Sequence, residues 1–164
     1  AVFEGSDPKE CWAVTAPKET VNTRDGRAVS VRRGDILLFV TYRPDNNVAG
    51  EVSFTGGYPF ATGSTATIKV GDTTFEMFTE GEYAWPATPE DDSKIVTAMK
   101  RGTDAVVTAR SSRGTQTEAT VSLLGATAML EAAAGLYARS EPESWPLSGA
   151  PITLDVLTIP RKVA

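Results

Sequence analysis

The chain has 164 residues, 41% hydrophobic and 23% charged, with a formal net charge of -5 and a pI near 4.8. That composition suits one folded domain with an ordinary core, and with this acidity nothing suggests a nucleic-acid binder, whose partner demands clustered positive charge. It contains no histidine and a single cysteine, Cys11, which excludes Ser-His-Asp and Cys-His nucleophiles, zinc sites built on imidazole or a thiolate cage, and an internal disulfide framework.

The chain opens Ala1-Val2-Phe3 without an initiator Met. This fits a form whose leader has been removed, or one trimmed at its start. A first strand is expected over residues 11–15. Cys11 sits at its start beside Trp12 and is expected to be buried and unpaired, since a free cysteine packs as a small apolar residue. Arg24, Arg27, Arg32 and Arg33 are the nearest thing to a basic cluster, but Asp25 and Asp35 interrupt them. Mixed charge of this kind reads as a solvated face.

Strands over 28–32 and 36–42 flank Arg33-Gly34-Asp35, a tripeptide that cell-surface receptors read in many adhesive proteins. A strand-to-strand turn accounts for all three residues. Val29 and Val31 end one strand, Gly34 allows the reversal, and Ile36 begins the next. The longest apolar run, residues 36–40, is far short of the roughly 20 residues that span a bilayer.

Further strands are expected over 50–55, 65–70 and 73–78. Val52 and Phe54 share one face, as do Ala66, Ile68 and Val70, which is the period-two pattern of a half-buried antiparallel sheet. Gly71 closes a tight hairpin. The Gly56-Gly57 pair is no phosphate loop, because the Lys-Ser/Thr and helix such a loop needs do not follow. A helix is expected over 94–101, with Asp91, Asp92 and Ser93 capping it, Ile95, Ala98 and Met99 on its apolar face, and Gly102 as its stop. That face is expected to pack on the sheet and not to recognise another chain. A hairpin over 105–110 and 116–122 follows, then an Ala-rich helix over 126–137 with Met129, Leu130, Ala133 and Leu136 as its stripe. The tail, 140–164, holds Pro142, Pro146 and Pro151 and a final strand over 152–159. The expected class is α+β: a mainly antiparallel β-sandwich or partly closed β-barrel, with two helices inserted in the C-terminal half of one 1–164 domain.

Candidate chemistry is sparse. Asp91 and Asp92 are adjacent and read as a cap. Glu80 and Glu82 read as a solvated loop, and Ser93 and Lys94 diverge at a helix start. No catalytic residue, cofactor or metal is expected. Trp12, Tyr58, Phe60, Tyr83 and Trp85 combine apolar area with polar tips and form the candidate binding surface, against the plainer reading that they pack core and turns.

Six stretches carry a family resemblance: Glu10-Cys11-Trp12-Ala13-Val14, Glu51 through Phe60 (EVSFTGGYPF), Ala84-Trp85-Pro86, Ile95 through Gly102 (IVTAMKRG), Ser112-Arg113-Gly114-Thr115 and Ser122-Leu123-Leu124-Gly125. In this order and spacing they resemble the invasion-associated locus B family of alphaproteobacteria, over residues 10–139. The resemblance implies an exported protein, periplasmic or outer-membrane-associated, in a family whose founding members are linked to entry into host red cells. It implies no enzymatic activity. Many members belong to free-living bacteria. Two departures stand out. Ala126 occupies a place where members often carry an aromatic, and Ser140 is the nearest equivalent of a second cysteine, so a pairing of Cys11 with that position is absent here.

The reading is a non-catalytic exported envelope protein that binds an unidentified envelope or extracellular protein or glycan, but no nucleic acid. A carboxylate-dependent envelope hydrolase and a structural accessory without ligand are the alternatives. Oligomeric state is not legible.

Overall fold

The computed structural model describes residues 1–6 and 9–138. The expected strand over 152–159, and Ser140, lie outside the described residues. In chain order the elements are β1 (Val2–Ser6), β2 (Lys9–Thr15), β3 (Glu19–Arg24), β4 (Arg27–Ala28), β5 (Leu37–Arg43), β6 (Val48–Thr55), β7 (Thr65–Val70), β8 (Thr73–Glu80), β9 (Tyr83–Pro86), α1 (Pro89–Arg101), β10 (Asp104–Arg110), β11 (Gln116–Ser122) and α2 (Ala126–Ala138). A short 3-10 turn, Pro44–Asn46, joins β5 to β6.

The strands form one antiparallel sheet in the order β1-β2-β5-β6-β9-β8-β7-β10-β11-β3-β4, with β1 and β4 as its open edges. Alternate residues share its inner face. Ala13, Val40, Val52 and Phe54 come from one half, Ile68, Val107, Ala119 and Val121 from the other, and all belong to a single core. Strands far apart in the sheet can share one core only if the sheet folds over on itself. The result is the sandwich-like α+β fold that the alternation predicts, mostly antiparallel and not closed.

Both helices pack on the inner face. Ile95 and Met99 of α1 and Leu130 and Ala133 of α2 are buried in the same core. The apolar face of α1 thus belongs to the fold, as its local signals predict. The start of α1 differs from expectation. Thr88 is the N-cap, accepting from the Asp91 amide at 3.2 Å, and Pro89 opens the first turn. This uses the missing N–H of proline where none is needed. Asp92 is therefore not a cap. It is buried, and its Oδ1 accepts from the Val52 amide at 2.9 Å, tying α1 to β6. Gly102 ends α1 without a positive φ. A Cβ there would stand 2.5 Å from Val70 Cγ1, so the position is glycine for closeness.

Residues 28–32 do not form the expected strand. Only Arg27–Ala28 pairs, with Thr23 and Arg24 of β3. Beyond it the Val29 amide still donates to the Asn22 carbonyl at 3.0 Å, and residues 30–36 form no strand before β5 begins. Arg33-Gly34-Asp35 accordingly lies in a loop and not in a hairpin turn. β1, β3 and β9 were not expected. Glu19–Arg24 offers no apolar face, and β9 is short and closes on Pro86. Among the described residues no helix is long and apolar enough to cross a membrane.

Candidate binding cleft

Four loops meet at one end of the sheet, and a single segment stitches them together. Residues 56–61, which follow β6, bond in three directions. The Gly56 and Phe60 amides donate to the Glu82 and Gly81 carbonyls in the β8–β9 turn. The Ala61 amide donates to the Arg110 carbonyl, and the Pro59 carbonyl accepts from Ser112, both in the β10–β11 hairpin. The Gly57 carbonyl accepts from the Gly34 amide at 2.9 Å. Gly57 has φ +66, and a Cβ on it would lie 2.4 Å from the Gly34 carbonyl. Only glycine fits there, on both counts. It is Gly57, and not Gly34, whose conformation the loop requires.

These loops enclose a cleft of about 490 Å³. Arg24 comes from the end of β3, Arg32 and Arg33 from the loop before β5, Tyr58 from the segment after β6, and Arg113 from the hairpin turn. Ser30, Ser111, Ser112, Thr115 and Thr117 supply hydroxyls. Glu82 is the one carboxylate among the described lining residues.

The guanidinium of Arg33 lies 5.1 Å from the ring centroid of Tyr58, a cation–π contact. Its Nη1 donates to Thr117 Oγ1 at 3.2 Å, and its Nη2 donates to Asn22 Oδ1. Arg24 Nη2 donates to Thr115 Oγ1 at 2.7 Å. Thus two of the four arginines are held by neutral oxygens. No ion pair engages Arg24, Arg32, Arg33 or Arg113 among the described residues, whereas Arg43 on β5 pairs with both Glu10 and Glu51 at 2.9 Å. Burial pulls the Arg33 guanidinium below its ordinary pKa, an effect the Tyr58 phenol opposes, and it remains charged. Burial likewise pushes the Tyr58 phenol up, offset in part by neighbouring Thr117 and by the Arg33 charge. Tyr58 Oη is buried with no partner in good hydrogen-bond geometry among the described residues, and the Thr117 hydroxyl beside it donates to Asn22 Oδ1 at 3.0 Å.

The five aromatic residues expected to form one binding surface fall in two places. Tyr58 lines the cleft. Phe60 is buried beneath it, 5.3 Å from the Tyr58 ring and 6.4 Å from that of Phe54. Trp12, Tyr83 and Trp85 lie on the outer face of the sheet. Trp12 stands opposite Phe3 and Thr41, and Trp85 contacts Phe78 at 5.5 Å and Tyr83 at 5.9 Å. Trp85 is only 3% exposed. Thr41, Arg43 and Ser53 are buried on that face too. Trp12 Nε1, Trp85 Nε1, Thr41 Oγ1, Ser53 Oγ and Arg43 Nη2 are buried without a hydrogen-bond partner among the described residues. That face is covered only in part: Trp85, Thr41, Arg43 and Ser53 are buried, whereas Phe78 is 40% exposed and Trp12 and Tyr83 are half-buried.

Sequence reasoning met Arg24, Arg32 and Arg33 but read them as a solvated face. It did not join them to Arg113 and Tyr58. No local signal joined them, since Asp25 and Asp35 stand near Arg24 and Arg33 in the chain and Arg113 is far from both.

Cys11 is buried and free. Burial pushes its thiol pKa up, the Glu4 carboxylate adds to this, and Lys9 opposes it. Among the described residues no group of acids and Cys is arranged to hold a metal ion.

A family model described as "Invasion associated locus B (IalB) protein" matches residues 3–134. Neither the curated proteins nor the solved structures contain a match.

Proposed function

Because the chain belongs to the invasion-associated locus B family, we propose that it is a non-catalytic exported protein of the bacterial envelope, periplasmic or outer-membrane-associated, which binds its ligand in the arginine-lined cleft. The ligand is a protein or glycan of the envelope or its surroundings. One observation carries this reading. Four guanidinium groups without a described carboxylate partner, Arg24, Arg32, Arg33 and Arg113, converge on one cleft in a chain of net charge -5. Charges of one sign gathered in a cleft repel each other and weaken the fold, so their convergence argues for a ligand. A carboxylate hydrolase needs two acids across the cleft, and the described lining supplies only Glu82. A structural accessory without ligand would have no use for an unneutralised cleft.

The test places a photo-crosslinking residue at Ser112, on the cleft, and separately at Lys69, on β7 away from it. Exposed to an envelope fraction of the source bacterium, the Ser112 variant should capture a ligand that the Lys69 variant does not. Equal capture at both positions would refute the cleft as the binding site.

A further inference from the structure

We propose that the cleft recognises an anionic saccharide, with the acidic group held by Arg32 and Arg113 and the sugar hydroxyls met by Ser30 and Ser112. This rests on the cleft being the binding site, and it names the ligand class.

The lining decides between ligand classes. A guanidinium presents a planar fork of donors that fits carboxylate, phosphate or sulfate oxygens in pairs. Arg32 and Arg113 are exposed at the cleft and make no described hydrogen bond or ion pair, so their forks are free. Arg24 and Arg33 are already fixed by Thr115, Thr117 and Asn22. They supply fixed positive charge behind the two free groups. A nucleotide would ask for an aromatic face to stack on. The candidate face is that of Tyr58, and the Arg33 guanidinium is already on it at 5.1 Å. The remaining polar lining is rich in hydroxyls, which donate and accept and so suit a ligand that does the same. An acid-bearing sugar meets all three conditions: oxyanion, hydroxyls, and no need of a ring platform. The volume of about 490 Å³ is within the ordinary range for small-ligand sites.

Calorimetry on the full chain tests this with four probes: oligogalacturonate, its fully methyl-esterified neutral form, a heparin-derived oligosaccharide, and inorganic phosphate. Wild type is compared with Arg32→Ala/Arg113→Ala, whose thermal midpoint should be no lower than that of wild type, because neither side chain makes a described bond and removing two like charges relieves repulsion. The expected result is binding of oligogalacturonate or the heparin oligosaccharide, no binding of the neutral form, and a loss of about tenfold or more in the double variant, since each charge-assisted bond is of that size. Which of the two acidic probes binds more tightly separates carboxylate from sulfate. Binding of the neutral form as tight as the acidic form would overturn the anionic class while leaving the cleft intact as a site. Inorganic phosphate binding as tightly as any saccharide would overturn the saccharide. Acidic-saccharide binding unchanged in the double variant would overturn the placement in this cleft. No binding of any probe would overturn the ligand class, and the crosslinking experiment would then decide the cleft itself.

Discussion

Arg33 holds its guanidinium 5.1 Å from the centre of the Tyr58 ring while donating to Thr117 and Asn22. One side chain thereby joins the loop before β5, the segment after β6, and strands β3 and β11. It also shows what the Arg33-Gly34-Asp35 tripeptide is in this protein. Its arginine is folded into the cleft wall, and its glycine amide is bonded to Gly57. A receptor reading the tripeptide needs the arginine side chain free.

Changing Asp35 to Glu is expected to leave binding to animal cells unchanged. Asp35 is exposed, and no hydrogen bond or ion pair of its carboxylate is described. Cell-adhesion counts on coated surfaces check this, and a clear loss would restore the tripeptide as a recognition element.

Gly57→Ala is expected to destabilise the fold. The left-handed φ of +66 costs a non-glycine residue about 1–3 kcal/mol, and the 2.4 Å approach to the Gly34 carbonyl forces the two loops apart. A lower denaturation midpoint is the readout. The cleft should also open, seen as a more exposed Tyr58 in ultraviolet absorbance. An unchanged midpoint would mean the two loops are not held as described.

Met99→Ala is expected to cost about 2–5 kcal/mol, because Met99 is 1% exposed in the core and truncation removes buried apolar atoms and leaves a cavity. That is a large share of a small domain's stability. Thermal denaturation checks it. If the midpoint holds but a protein partner is lost, α1 is a docking surface and not part of the core.

Cys11 is expected to resist a thiol reagent in the native protein and to react at once when unfolded. It is 0% exposed, and its raised thiol pKa leaves little thiolate at neutral pH. Rapid native labelling would contradict its burial.

What the sequence revealed and what it hid divide along a physical line. β6, β7 and the β10–β11 hairpin were legible because Val52 and Phe54, Ala66 and Ile68, and Thr117, Ala119 and Val121 alternate inward at period two. β3 was not, since its outer position leaves Val21 44% exposed and gives no apolar face to read. The true start of α1 was spelled out by Thr88 and Pro89, but the acids after them drew the expected start five residues too late. The cleft was hidden for a different reason. Its arginines come from residues 24, 32, 33 and 113, and Tyr58 lies between. Only the stitching of residues 56–61 to three other loops brings them together. Such closeness is a product of sheet order, which no local pattern encodes. Of the five aromatics only Tyr58 lines the cleft, and the sequence could not single it out because each suits either a core or a binding face.

The central claim is that the unpaired arginines of the cleft hold the natural ligand. The most direct measurement is capture from an envelope fraction of the source bacterium, comparing immobilised wild type with Arg32→Ala/Arg113→Ala, both shown to be folded by thermal denaturation. The account predicts that wild type retains a ligand which is released as salt rises, since exposed charges are screened within about 10 Å at 0.1 M, and that the double variant retains none of it. A double variant that is equally folded and still retains the same ligand would contradict the account.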